Sequence, residues 1–279
     1  MTERPLQGKV ALVTGAGRPA GLGQRIARRL GQAGARVVVH DRGMVSGDLA
    51  PRHGVGTTQT LEDVAASLRR DGLEVHAVTA DLREAPEVTR IVEETAGHFG
   101  RIDILVNNAG IGYLFGPLVD LDPEKWDAVL DVNLRAPALA IRAAARRMID
   151  QGDGGRIINI ASQAGKSGFA FAAAYTASKH GLIGLTRSAA LELGQFGITV
   201  NAICPNHVTT GLGAWQNEFM AKARCQSVED YLADMKARIP LGRTGTPDDT
   251  AEVAAFLCSP AASYITAEAI NVSGGEEYH

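Results

Sequence analysis

Thr14-Gly15-Ala16-Gly17-Arg18-Pro19-Ala20-Gly21-Leu22-Gly23 is the stretch that decides the fold. An apolar, β-branched run at 10–14 leads into it, and a helical pattern at 23–33 leads out. Glycines at such a junction let the backbone approach a pyrophosphate closely and take φ > 0. A helix starting behind them offers free N–H donors and the positive end of its dipole. A glycine-rich stretch alone is a weak signal, but a strand before it and a helix after it strengthen it. Gly15, Gly17, Arg18, Gly21, Leu22 and Gly23 are therefore candidate phosphate-binding positions.

Outward from this turn, short Val- and Ile-rich runs recur at 36–39, 75–79, 104–106, 156–160, 199–204 and 269–272, bounded by Gly, Asp or Asn. Helical patterns lie between them at 61–70, 86–99, 123–149 and 175–196. Repeated strand–helix alternation predicts an α/β fold. The expectation is a Rossmann-type, doubly wound parallel sheet of about seven strands with helices on both faces. No linker divides the chain, so 1–279 reads as a single domain. Two segments break the rhythm. Residues 42–58 form a Gly-containing extended loop after the second strand. Residues at about 206–240 form a flap, two short helices over 211–238, above the sheet edge where such folds bind ligands.

Composition narrows the function classes. Hydrophobic residues make up 45% of 279 and charged residues 21%, as in ordinary globular proteins. With 28 basic and 31 acidic residues the net charge is -3, which argues against a nucleic-acid or anionic-membrane partner. The cysteines, Cys204, Cys225 and Cys258, lack metal-ligand spacing, so no metal is expected. The first residues are polar and no apolar run would span a bilayer, so the expectation is a cytoplasmic protein.

Asp41 closes the second strand about twenty residues past the glycine turn. A carboxylate there can accept both hydroxyls of an adenosine ribose and repels a 2′-phosphate. It argues for NAD over NADP, while Arg42 and Arg18 keep NADP open. Tyr175 and Lys179, four residues apart, share one helix face. A free phenol titrates near 10, and an adjacent ammonium together with a cationic nicotinamide would bring it toward working pH. Ser162 lies in the loop after the fifth strand, at the ligand-binding edge, where its hydroxyl can meet a substrate oxygen.

The chain resembles the short-chain dehydrogenase/reductase family over essentially its whole length. The resemblance rests on the 14–23 turn, Ala80-Asp81-Leu82, Asn107-Asn108-Ala109-Gly110, Asn133, Ser162, Tyr175-x-x-x-Lys179 and Asn201-Ala202-Ile203-Cys204-Pro205. It implies hydride transfer between the cofactor and an alcohol or ketone, with Ser162, Tyr175, Lys179 and Asn133 as the catalytic set. Asp81 would bind the adenine amino group, with Leu82 beside the ring. Asn107 would brace the sheet, and Asn108, Ala109 and Gly110 would line the cofactor cleft. Lys179 would hold the nicotinamide ribose, and Pro205, Val208 and Thr210 would serve the carboxamide end. Asn133 would hold, through its helix backbone, a water that links Lys179 to solvent. A homotetramer built on the helices at 123–149 and 175–196 is also implied.

The departures from the family pattern are local. Five residues separate Gly15 from Gly21 where the family has three, and Pro19-Ala20 reads as an insertion. Asn206 stands in place of a glycine, as a left-handed turn residue or, with His207, as a substrate contact. Gln163 and Trp215 are further substrate candidates. Ser273 replaces an Asp before Gly274-Gly275. The 42–58 loop is longer than most members carry; Arg52 and His53 could meet phosphates of a CoA tail or the adenosine end of the cofactor, or the segment is a disordered surface loop. The leading expectation is a dehydrogenase of a secondary alcohol or ketone. The alternatives are a 3-oxoacyl-thioester reductase or hydroxyacyl-CoA dehydrogenase, and a non-catalytic NAD-sensing regulator.

Overall fold

The computed structural model of the protein describes residues 4–43, 57–112, 115–208 and 210–279. Arg52, His53, Tyr113 and most of the 42–58 loop lie outside the described residues, as does the side chain of Trp215. The strands are β1 (Val10–Thr14), β2 (Arg36–Asp41), β3 (Val75–Thr79), β4 (Ile104–Asn107), β5 (Gly155–Ile160), β6 (Ile198–Pro205) and β7 (Ala269–Val272). Among the described residues they form one seven-stranded sheet, ordered β3-β2-β1-β4-β5-β6-β7, with every pairing parallel.

The strand sequences explain the two-sided burial. All five β1 residues and all four of β4 are buried, because helices cover both faces. Alternation sorts neighbours into opposite layers. Val37 and Val39 of β2 join Ala11 and Val13 beneath α1 (Leu22–Gln32), α2 (Thr58–Arg70) and α9 (Pro247–Cys258). Val38 joins Leu12, Leu105 and Ile157 beneath α3 (Ala85–Phe99), α5 (Ala136–Gln151) and α6 (Ala173–Leu193). The chain runs outward from β1 in both directions. A cleft therefore opens where β1 and β4 part, at their C-terminal ends.

The helix expected over 123–149 runs without a gap but is not α-helical throughout. It consists of α4 (Pro123–Leu130), a π-helical turn (Asp131–Arg135) and α5. Pro137 has no N–H to give the carbonyl of Asn133, and its ring crowds that carbonyl, so the helix widens there. The flap folds as α7 (Gly211–Ala223) and α8 (Val228–Arg238), N-capped by Thr210 and Ser227. Ala221, Tyr231, Met235 and Ile239 form its own small core.

Candidate active site

The glycine turn is built by close backbone packing. Gly15 takes φ 68°, and a Cβ there would lie 2.6 Å from Cα of Ala109. A Cβ on Gly23 would lie 2.5 Å from both the Gly15 carbonyl and Asn108 Nδ2. Asn108 closes the turn by donating to the Thr14 and Gly15 carbonyls at 2.8 and 2.9 Å. Thr14 Oγ1 accepts the amides of Asn108 and Ala109, each at 3.1 Å. The added Pro19-Ala20 is accommodated by Ala20 at φ 55°, its amide bound to Gln24 Oε1. No side chain caps α1 at Gly21, so its first amides face the cleft uncommitted to a cap.

Gly15, Arg18, Gly21, Leu22 and Gly23 line the cleft, whose volume is about 330 Å³. Gly17 does not line it. Its amide donates to Asp41 Oδ2 at 2.9 Å, while Arg42 N donates to Oδ1 at 2.8 Å. A Cβ on Gly17 would press on Asp41 at 2.7 Å, so this glycine acts by seating the acid. Arg42 is drawn away from Asp41's carboxylate to Asp81, at 2.8 Å. Arg83, which the motif reading did not single out, forms a second ion pair with Asp81 at 2.7 Å. These cations hold the Asp81 carboxyl below its ordinary range against the opposing effect of burial. Asp81 and Leu82 line the cleft together with His40, a buried ring whose Nδ1 has no partner.

The catalytic candidates converge at the other end. Ser162 caps a short turn after β5, accepting from Ala164 N at 3.1 Å, and its side chain hydrogen-bonds the Tyr175 phenol. Lys179 Nζ is buried 5.5 Å from the Tyr175 ring centroid and donates to the Ile160 carbonyl at 2.7 Å. Burial lowers the ammonium's pKa to about 8. The expected depression of the phenol by Lys179 is not found in the protein alone. Desolvation in the concave cleft raises Tyr175 above 10, and only the Ser162 hydrogen bond opposes it. The missing lowering would have to come from the cation of a bound oxidised nicotinamide.

Asn133 lies behind this pair, fully buried on the π turn. Its side chain accepts from Ile111 N at 2.8 Å and donates to the Ile111 carbonyl at 2.9 Å and to Ser178 Oγ at 3.0 Å. Ser178 in turn donates to the Tyr175 carbonyl at 2.7 Å. The loop after β4 is thereby tied to the catalytic helix through Asn133. Ser178, unremarked in the sequence, is the connecting link. Asn107 donates to Asn159 Oδ1 at 2.8 Å, joining β4 to β5.

Gln163, Asn206 and His207 line the same cleft, as do Ala109, Gly110, Pro205, Val208 and Thr210. The left-handed residue is His207, at φ 37°, so the turn conformation expected of Asn206 falls one position later. Asn206 is instead buried with its amide bound to Glu276 at 2.6 Å. Phe115, Phe169, Gln216, Asn217 and Met235 also line the cleft. For Gln216, Asn217 and Met235 the periodicity of the flap gave no means of telling cleft from core residues.

A sequence profile described as enoyl-(acyl carrier protein) reductase matches residues 15–277. The bovine protein dehydrogenase/reductase SDR family member 4 (Bos taurus) is 36% identical over 99% of this chain and 89% of its own. The chain belongs to the short-chain dehydrogenase/reductase family. Among solved structures of this family, an actinorhodin polyketide ketoreductase with NADPH superposes with TM-score 0.88 at 38% identity, covering all of both chains. An NAD+-bound xylitol dehydrogenase superposes at 0.86 with 33% identity, covering 97% of this chain and 99% of its own. As a family member the protein is an NAD(P)-dependent oxidoreductase acting on alcohols and ketones. The cleft suits such a cofactor. Uncapped helix amides face it for a pyrophosphate, and the seated Asp41 carboxylate lines it as an acceptor for ribose hydroxyls. Among the described residues, no group of three or more His, Cys, Asp or Glu could hold a metal ion, and no helix is long and apolar enough to cross a membrane.

Proposed function

We propose that this protein is an NAD-preferring dehydrogenase that interconverts a small secondary alcohol and its ketone. The Asp41 carboxylate carries the cofactor choice. Two backbone amides fix it, and the neighbouring Arg42 guanidinium is committed to Asp81. A ribose diol meets two acceptor oxygens there, and a 2′-phosphate meets a negative charge. Arg18, Leu22, Asp81, Leu82, Asn108, Ala109 and Gly110 would hold the adenosine and pyrophosphate. Lys179, Pro205, Val208 and Thr210 would hold the nicotinamide nucleoside. Bound NAD supplies a hydride acceptor at nicotinamide C4.

The chain's own residues manage the proton. Ser162 Oγ hydrogen-bonds the substrate oxygen and orients it toward the Tyr175 phenol. In oxidation the phenolate takes the hydroxyl proton as the carbinol C–H electron pair departs as hydride. In reduction the phenol returns that proton to the carbonyl oxygen. The Ser162 hydrogen bond, and the nicotinamide cation when oxidised cofactor is bound, would stabilise the phenolate, and Asn133 holds the loop and helix in register. The reading extends to a cytoplasmic homotetramer joined through α5 and α6. Leu191, 81% exposed on α6, supports it by giving that helix apolar surface.

Reduction of a 3-oxoacyl thioester is the second reading, and likeness to the polyketide ketoreductase favours it. A carrier or CoA needs available cations at the flap. Arg238 is paired with Glu276 at 3.2 Å, and Arg224 stacks over Tyr231. Initial rates of cyclohexanol oxidation with NAD and with NADP test the cofactor claim. The wild type should favour NAD, and Asp41→Ala should narrow the preference at least about tenfold, the worth of roughly 1.4 kcal/mol of charge repulsion and lost hydrogen bonding. A cofactor ratio unmoved by the substitution refutes the role of Asp41.

A further inference from the structure

Two adjacent carboxylates on the segment after β7 reach back to the substrate end of the cleft. Ser273 shapes that segment. Its hydroxyl accepts the amides of Gly275 and Glu277 at 3.3 and 3.2 Å and donates to the Glu277 carbonyl at 2.8 Å. Gly274 and Gly275 take φ 65° and 97°, conformations only glycine adopts freely. The result splits neighbouring side chains between two walls. Glu276 Oε2 accepts from Asn206 Nδ2 at 2.6 Å and lies 3.3 Å from His207 Nε2, while its Oε1 meets Arg238 Nε at 3.2 Å. Glu277 Oε2 accepts from Gln163 Nε2 at 3.0 Å and from Ser167 Oγ at 2.7 Å, with His279 on its other oxygen.

Asn206, His207 and Gln163 line the cleft, and Glu276 and Glu277 do not. Three polar cleft side chains are thus held from behind by two carboxylates. The chemistry of the bonds dictates what remains for a ligand. An amide that gives an N–H to a carboxylate has its carbonyl oxygen on the other branch of the trigonal group, as an acceptor. Gln163 Oε1 is such an acceptor, buried and without a partner. A histidine with its Nε2 proton on Glu276 has Nδ1 as an acceptor while the ring is neutral, and burial favours the neutral ring.

We propose that Glu276 and Glu277 are positioning residues that hold Gln163, Asn206 and His207 as an acceptor wall, and that this wall selects substrates with a second hydroxyl beside the reacting carbinol. The proposal rests on the alcohol dehydrogenase reading and adds the substrate class. The enzyme distinguishes two probes that differ by one hydroxyl, trans-1,2-cyclohexanediol and cyclohexanol. With NAD, the wild type should prefer the diol at least about tenfold in kcat/KM, in line with the rejection of analogues that lack a hydrogen-bonding group.

Glu276→Gln should raise KM for the diol at least about fivefold, with kcat, NAD affinity and melting temperature little changed and cyclohexanol kinetics unmoved. Glu277→Gln should act in the same direction, and Glu276→Asp should recover part of the loss by restoring the charge. A parallel loss for both probes, or a loss that tracks the melting temperature, makes the carboxylates merely structural and overturns the proposal. Equal or reversed preference in the wild type, or no turnover of the diol, also overturns it. The underlying alcohol dehydrogenase reading fails by a different sign, when the wild type turns over neither probe better than Tyr175→Phe does.

Discussion

Burying the Lys179 ammonium has a measurable energetic consequence. The residue is only 4% exposed, and the hydrogen-bond acceptor it finds among the described residues, the Ile160 carbonyl, carries no full charge. Its pKa falls from an ordinary 10.5 to about 8. At about 1.4 kcal/mol per pH unit, that gap corresponds to about 3 kcal/mol of folding stability. Below pH 8 the lysine is charged in both folded and unfolded chains, and the whole penalty is present. Between about 8 and 10.5 the unfolded chain holds a proton that the folded one lacks, so stability rises with pH. Above 10.5 the penalty is gone.

Lys179→Met removes this titration. The lost bond to Ile160 shifts the variant by a constant of about 1–3 kcal/mol at every pH, which cancels when the slope is read. Urea unfolding of both proteins without cofactor, at matched pH and protein concentration, therefore isolates the lysine. The stability of the wild type relative to Lys179→Met should increase by about 3 kcal/mol from pH 7 to 10.5. Tyr175 does not confuse this comparison, because the phenol is present in both proteins and its own titration cancels in the difference. A relative stability constant to within about 0.5 kcal/mol, or one that falls with pH, would refute the reasoning, since a falling curve requires a raised lysine pKa.

Asn133→Ala should destabilise the protein by about 2–5 kcal/mol in urea unfolding, because it orphans both backbone groups of Ile111 at about 1–3 kcal/mol each. A loss below about 1 kcal/mol would show that these groups find other partners. Gly23→Ala should drive its new methyl into the Gly15 carbonyl and the Asn108 amide and open the turn. NAD affinity by calorimetry should weaken at least about tenfold, and unchanged affinity would count against the turn as the pyrophosphate site.

The fold was legible because its evidence is local and repeated. Each buried strand is a short β-branched run, and the polar or glycine residue that ends it marks the sheet edge where ligands bind. Tyr175, Lys179 and Ser162 were legible for the same reason, since helix spacing and strand ends place them without long-range information. Gly17 was assigned to the phosphates because its glycine pattern does not reveal that its amide serves Asp41. The distortion of the 123–149 helix was foreseeable from Pro137, but the π turn there puts Asn133 on Ile111 by tertiary packing. Glu276, Glu277 and Arg83 were missed because their partners lie far along the chain or depend on a loop's exact course. A carboxylate 70 residues from Asn206 leaves no local pattern.

The central claim is that Tyr175 passes the proton while the cofactor site stands independently of it. The most direct test is Tyr175→Phe, with kcat/KM for alcohol oxidation and NAD affinity measured on the same preparation. Turnover should fall by about a hundredfold or more, the usual range for loss of a general acid–base, with NAD affinity within about a factor of three of the wild type. A variant that keeps more than about a tenth of wild-type turnover would contradict the claim, because the Tyr175 phenol is the group hydrogen-bonded to the Ser162 side chain.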